Sequence, residues 1–472
     1  MEPENLAFGG GVSDTILNPF VLVAVFIAGV LIITLPRNKA IVPFLVTSIL
    51  IPTDQILVLG AFHFPVIRIL IVFGLIRILY SKFTAKELIF STGINGMDKA
   101  VMLLAVFTSL NGVLLWQQSQ AVIKFSGDLY SACGIYLLLR FLIQGEEDVR
   151  KTLRVLACLV VVIAGIMIWE RVTGRNPLYA ALGGVRNFQA RAALGAEDKF
   201  RGTGSFAHPI LAGTFGGFCF PLFAGLWWLG ERGDRKYAIL GVIAAPAMAF
   251  AANSSTALFG LIGGLIALSF WPIRRYMRVV RWAIVTIIVS LHMVMKAPVW
   301  HLISRVDLTG GSSSYHRYQL VNQCILHFWD WCLIGTKNYG DWGWEMWDLS
   351  NQYVATADTA GLLPFILLLA IIVLGFKYLG IARRAAEGDR SHERFIWALG
   401  ASLFANVVAF FGISYFDQTV VAWYTILSMI CASTFVARSA KREALENTLV
   451  IESDRTFPAD LVPGSIRDHR SA

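Results

Sequence analysis

Hydrophobic residues along this chain gather into runs of about twenty, the length a helix needs to cross a bilayer core. The runs fall near 16–35, 40–60, 64–80, 97–116, 120–142, 152–169, 207–230, 237–253, 255–272, 279–297, 360–380, 393–413 and 416–437. They predict thirteen helices, with the second run the weakest because Pro52, Thr53 and Asp54 interrupt it. A transmembrane β-barrel would instead show short segments of alternating apolar and polar residues. The expected fold class is all-α: a polytopic integral membrane helical bundle of about 12–13 transmembrane helices with a large helical loop on its outer face. A single domain over 1–437 is expected to be followed by a disordered cytoplasmic tail over 438–472, where apolar content is low.

A composition of 56% hydrophobic and 15% charged residues, with mean hydropathy +0.63, excludes a soluble protein. The net charge of +9 raises the question of nucleic acid, but most cations sit in short connections between apolar runs. Clusters such as Arg37 with Lys39, Arg150 with Arg154, Arg274 to Arg281 and Arg383 to Arg394 then lie on one side. The bias of Lys and Arg toward cytoplasmic loops makes that side the cytoplasm. It follows that the N-terminus lies outside, the C-terminus is cytoplasmic, and no nucleic-acid partner is expected. The first run, Ile16 to Leu35, follows Glu2, Glu4 and Asp14 and lacks a basic leader region. It reads as a retained helix, not a signal peptide.

Two longer connections, 170–206 and 298–358, are separated by four predicted helices, an even number, and so share a side. The first carries Arg171, Arg175, Arg186, Arg191, Lys199 and Arg201 against Glu170, Glu197 and Asp198, defying the positive-inside tendency. Such cations are expected to meet an anionic ligand. The second holds six of the fourteen tryptophans, interleaved with Arg305, His316, Arg317, Asp330, Asp341, Glu345 and Asp348. Disordered segments are poor in aromatics, so this one is expected to fold. Ser313 or Ser314 can cap a helix running to about Trp331. Its expected apolar face is Tyr318, Val321, Ile325 and Phe328. Cys324 and Cys332, about 12 Å apart if on one helix, are too far apart there for a disulfide.

No phosphate-binding glycine loop, zinc-protease motif or nucleophile elbow is present, and no cluster has metal-ligand spacing; neither cofactor nor metal is expected. The chemistry left is cations, acids and aromatics on one face. Guanidinium groups bind phosphate oxygens bidentately. Tryptophan faces suit sugar rings, and equally the membrane boundary. A carboxylate or imidazole near a hydroxyl can act as a general base. Together these describe a site for a lipid pyrophosphate carrying a sugar.

Four segments then carry a resemblance. Arg201-Gly-Thr-Gly204-Ser-Phe-Ala-His-Pro resembles the R-x-x-G-x-F-x-x-P motif of the O-antigen ligase and polysaccharide polymerase superfamily of bacterial membrane glycosyltransferases. Ser254-Ser-Thr-Ala-Leu resembles its Ser-(Arg/Lys)-x-A-L helix start. His316-Arg317, with Leu333-Ile-Gly335 beyond, looks like its R…P-L-x-G-x-G loop. Asp348-Leu-Ser-Asn351-Gln-Tyr353, with Gly361-Leu beyond, looks like its H-N-x-(Y/F/L)…G-L element. The resemblance spans roughly 60–435. It departs at two places: Ser255 stands where the family has a cation, and Ser350 where it has a histidine.

What the resemblance implies is inverting, metal-independent transfer of a glycan from an undecaprenyl pyrophosphate-linked donor to an acceptor hydroxyl. The setting would be the periplasmic face of the bacterial inner membrane, in surface or exopolysaccharide biosynthesis, with lipids and other polysaccharide-assembly proteins as neighbours. Arg201 and Arg317 become the candidate pyrophosphate ligands, with Arg191 and Arg186 behind them. Asn351 and Tyr353 become substrate-binding candidates. Asp348, preferred here, or His316 would replace the missing histidine as base. A transporter or flippase of an anionic or lipid-linked saccharide is the rival reading. It draws on Lys124 and Asp128, an intramembrane pair one turn apart, although such a pair can also simply neutralise itself. Arg68 is expected to reach the membrane interface or a further phosphate.

Overall fold

Each of the thirteen apolar runs carries a helix in the computed structural model, which describes residues 15–434 apart from 85–89, 91–92, 184–199, 231 and 306–312. In chain order they begin with α1 (Pro19–Thr34), α2 (Arg37–Leu50), α3 (Val66–Phe83), α4 (Gly96–Trp116), α5 (Ser119–Leu142) and α6 (Glu146–Thr173). A short α7 (Pro177–Leu182) precedes α8 (Pro209–Leu229), α9 (Arg232–Ala251), α10 (Ser255–Ser269) and α11 (Met277–Val294). Three short helices, α12 (Ser313–Leu326), α13 (Phe328–Trp331) and α14 (Gln352–Ala360), lead to α15 (Leu362–Ala385), α16 (Arg390–Ala409) and α17 over 418–434. The protein is an all-α, membrane-embedded helical bundle. Six of these helices are long and apolar enough to cross a bilayer by length and composition. The tail over 438–472 lies outside the described residues.

The second run does not continue as helix. Proline cannot donate its backbone hydrogen bond, and α2 stops at Leu50, just before Pro52. The remaining apolar residues form the only sheet among the described residues, an antiparallel hairpin of β1 (Ile56–Leu59) and β2 (Phe62–Pro65).

Helix α8 is the centre of the bundle, packed by α6, α9, α10 and α16. Its sequence explains why. A Cβ added at Gly216 would lie 2.6 Å from the Ala245 carbonyl oxygen, and one at Gly217 3.0 Å from the Leu261 amide nitrogen. Where lipid and helix interior are equally apolar, such close backbone approach is a main source of helix association. In contrast, α11 has no buried residue at all, and its long apolar face is exposed along its whole length.

The cationic connections gather at one end of the bundle, where many are paired. Asp98 on α4 meets Arg140 at 2.9 Å and the Tyr136 hydroxyl, both on α5, at 2.6 Å. Asp148 takes Arg37 at 2.9 Å, Asp234 takes Arg150 and Arg154, and Glu393 takes Arg274 and Arg383. Breaking one partner of a buried pair costs about 3–5 kcal/mol. These cations therefore tie helices together as well as marking a side.

The opposite end, the loop end, has its own small core of Leu320, Cys324, Trp331, Met346, Val354 and Ala357. The tryptophan-rich segment does fold, though not as one helix: α12 ends at Leu326 and α13 starts at Phe328. Ser313 is already the first helical residue, so the cap position lies outside the described residues. The buried face of α12 also differs from the expected stripe. It carries Ser314, Arg317, Leu320 and Cys324, while Ile325 is 48% exposed. Both faces keep helical spacing; the one turned inward places Leu320 and Cys324 in the small core and gives Arg317 a polar partner, described next. All six cysteines are free.

Candidate functional site

The loop end brings together three of the four segments singled out in the sequence directly and the fourth through Arg201. The segment around Arg201 is fixed first. Glu170, in the last turn of α6, is buried, and its carboxylate accepts from the Thr203 amide (2.7 Å), the Thr203 hydroxyl (2.8 Å), the Gly204 amide (3.0 Å) and the Asn176 side chain (3.0 Å). Gly204 holds φ +60, which suits glycine. Hydrogen bonds to a charged acceptor contribute about 1.5–3 kcal/mol each. Read from sequence, Glu170 has no role beyond offsetting loop charge; an acid closing a helix before a glycine-rich turn is the available signal.

With that turn held, the Gly202 amide donates to the Ala251 carbonyl and Arg201 Nε to the Ala252 carbonyl at 3.0 Å. Burial, then the positive charge of nearby Arg317, push the Arg201 pKa down. Among the described residues no carboxylate pairs with Arg201. Arg317 is itself buried and donates from Nη2 to the Thr256 hydroxyl at 2.9 Å. Thr256 donates in turn to the Gly412 carbonyl at 3.2 Å. A guanidinium from α12 therefore stands at the start of α10, beside Ser255.

His316 is 6% exposed. Its Nε2 lies 3.0 Å from the backbone carbonyl of Asp348. A carbonyl only accepts, so Nε2 carries a hydrogen in that contact, and in the neutral ring the lone pair then lies on Nδ1. Nδ1 is buried and has no hydrogen-bond partner among the described residues. The same carbonyl accepts the Ser350 amide at 2.9 Å. The imidazole thus reaches, from a different helix, the turn that ends at Ser350.

The remaining candidates separate. The Asp348 side chain is exposed; what serves the site is its main-chain carbonyl. Asn351 is 1% exposed and spent on structure: its Oδ1 caps α14 by accepting from the Tyr353 and Val354 amides. The Tyr353 hydroxyl donates to the Val407 carbonyl at 3.0 Å. Arg186 and Arg191 lie outside the described residues. The Lys124–Asp128 pair forms at 3.3 Å and is joined by Arg68, which reaches Asp128 at 3.2 Å, Ser131 and the His63 carbonyl. Arg68 is thus tied to α5.

A cleft of about 360 Å³ opens between α6, α9 and α10, lined by Ile168, Arg171, Ala247, Phe250, Asn253 and Leu258. It adjoins Ala252, the residue that anchors Arg201. No group of three potential metal ligands occurs among the described residues.

Behind the site, Asp358 was missed by the sequence reading. It is 2% exposed, its Oδ1 has no partner among the described residues, and its carbonyl takes the Thr336 amide at 2.7 Å. Burial raises its pKa from 3.8 to about 7, against a hydrogen bond with Cys324; Tyr339 also feels its charge. A carboxyl whose folded-state pKa is raised stabilises fully below its unfolded value, and this contribution is lost as pH rises through about 7. At about 1.4 kcal/mol per pKa unit, the loss is on the order of a few kcal/mol. Amide exchange across α14, corrected for intrinsic base catalysis, should quicken as pH rises from about 4 to about 7 and level off above, and Asp358→Asn should flatten that dependence. Equal slopes in both proteins would refute the assignment.

No protein-family model and no curated protein matches this chain.

Proposed function

We propose that the chain is a membrane glycosyltransferase of the O-antigen ligase or polysaccharide polymerase kind. It transfers a glycan from an undecaprenyl pyrophosphate-linked donor to an acceptor hydroxyl, with the loop end on the periplasmic face. The observation that carries this reading is the gathering at the loop end of a half-buried guanidinium, Arg201, a buried one, Arg317, and a buried imidazole whose Nδ1 has no hydrogen-bond partner among the described residues. Support also comes from the neighbours found at the two places where the chain departs from the family pattern. Arg317 supplies a cation at the start of α10, where the chain has Ser255, and His316 supplies an imidazole at the turn where it has Ser350.

In this reading His316 Nδ1 takes the proton of the acceptor hydroxyl as its oxygen forms a bond to the anomeric carbon. The bond from that carbon to the pyrophosphate oxygen breaks on the opposite face. The leaving pyrophosphate keeps the electron pair, and Arg201 and Arg317 meet its charge. Electrostatic stabilisation and positioning then supply most of the rate. The apolar cleft beside Ala252 suits the start of the prenyl chain.

Purified protein in proteoliposomes, given a lipid-linked oligosaccharide, tests the reading. Formation of a new glycosidic bond is expected: longer glycans identify a polymerase, transfer to a second acceptor a ligase. Movement of the donor across the bilayer without a new bond would overturn the proposal in favour of transport.

A further inference from the structure

The loop end displays an aromatic surface that the proposed transfer chemistry does not use. Between Gly343 and Asp348 only Met346 is buried: it is 2% exposed, against 66% for Trp344 and 71% for Trp347. Met346 is the anchor, sunk into the small core with Leu320, Trp331 and Val354. Glu345, between the two, adopts a left-handed backbone at φ 54, which costs a non-glycine residue on the order of 1 kcal/mol and persists only where surrounding packing dictates it. The buried methionine does so here, and the result is two indoles held out on one short turn.

An exposed pair of indoles in a membrane protein can serve lipid headgroups or a sugar. Charge decides between them. From Leu326 to Ser350 the chain carries Asp330, Asp341, Glu345 and Asp348, all exposed, against Lys337 alone. Interfacial segments that dwell on anionic lipid favour Lys and Arg, and carboxylates flanking the indoles are repelled there. The same pairing fits a hydroxyl-rich ring: its C–H face packs on the indole while its hydroxyls donate to the carboxylates. The surface is also continuous with the site, since Trp347 precedes Asp348, whose carbonyl accepts from His316.

We propose that Trp344 and Trp347, with Glu345 and Asp348 beside them, form a saccharide-binding shelf that holds the acceptor glycan and leads its terminal hydroxyl toward His316. Its role as an acceptor site rests on the transfer reading; its affinity for sugar does not.

The test uses the full-length protein in phosphatidylcholine nanodiscs. The probe is the surface polysaccharide of the strain that carries the gene, freed from lipid by mild acid. Saturation-transfer NMR should show sugar protons touching wild-type protein, and Trp344→Ala and Trp347→Ala should each weaken binding by about tenfold. Trp347→Phe, which keeps a ring, should restore most of it. Since both indoles are exposed, neither truncation opens a core, and unchanged melting checks this. No binding by wild-type protein, or wild-type binding by both alanine variants, would overturn the shelf. So would indole emission that follows added phosphatidylglycerol but not glycan. Glycan length in cells separates the two ideas. Normal elongation in the tryptophan variants but none in Arg317→Ala would sink the shelf alone. Lost glycan binding in the tryptophan variants, with normal elongation in Arg201→Ala and Arg317→Ala, would sink the transfer reading alone.

Discussion

His316→Gln lowers glycan transfer by about 10²–10⁴-fold, the usual cost of losing a general base, while the protein remains folded and still binds its donor. The choice of residue is geometric. A glutamine amide nitrogen can still donate to the Asp348 carbonyl that Nε2 now meets at 3.0 Å, so the turn stays tethered, but nothing basic replaces Nδ1. Asp348→Asn is the comparison and should be milder by at least about tenfold, because the site uses the main-chain carbonyl of that residue and its side chain is exposed. Single-turnover rates in proteoliposomes, with donor retention measured in parallel, check both. Full activity in His316→Gln with a dead Asp348→Asn would return the base to the carboxylate. Two active variants would leave the transfer reading without a base.

Arg317→Ala and Arg201→Ala should each cut transfer by about 10²–10³-fold, the scale for deleting one well-placed donor to a developing negative charge. Lysine should rescue poorly at both positions. Arg201 is half-buried and holds the Ala252 carbonyl through Nε, while Arg317 reaches Thr256 through Nη2, and an ammonium cannot make such a contact and still offer a planar fork to phosphate. Thr256→Val keeps both cations and loses one hydrogen bond, so its defect should be nearer tenfold. Membrane abundance and melting of each variant separate lost chemistry from lost fold. Near-normal transfer by both alanine variants would remove the pyrophosphate site.

The helices were legible because bilayer thickness imposes one length on every crossing and a lipid-facing surface must be apolar whatever it packs against. The thirteen runs needed only that rule, and the one that failed, 40–60, failed at Pro52, where the chain itself carries the break. The four segments gathered at the loop end were legible too, as short motifs that resemble those of a known family.

How their atoms are placed and partnered was decided only by tertiary contact. Periodicity named the face of α12 that carries Ile325, whereas the fold buries the face of Arg317, Leu320 and Cys324, with Arg317 donating to Thr256, which lies 61 positions away in the chain. Closeness along the chain to Ser350 favoured the carboxylate of Asp348 over the imidazole of His316. The fold exposes the first and buries the second against the main chain of the same turn. Glu170 has only a faint local signature and Asp358 none, since one acts by collecting donors from 176, 203 and 204 and the other is distinguished only by its burial. Length and hydropathy are properties of a segment and survive in the sequence; burial, tautomer and the pairing of charges belong to two segments at once, and only their packing creates them.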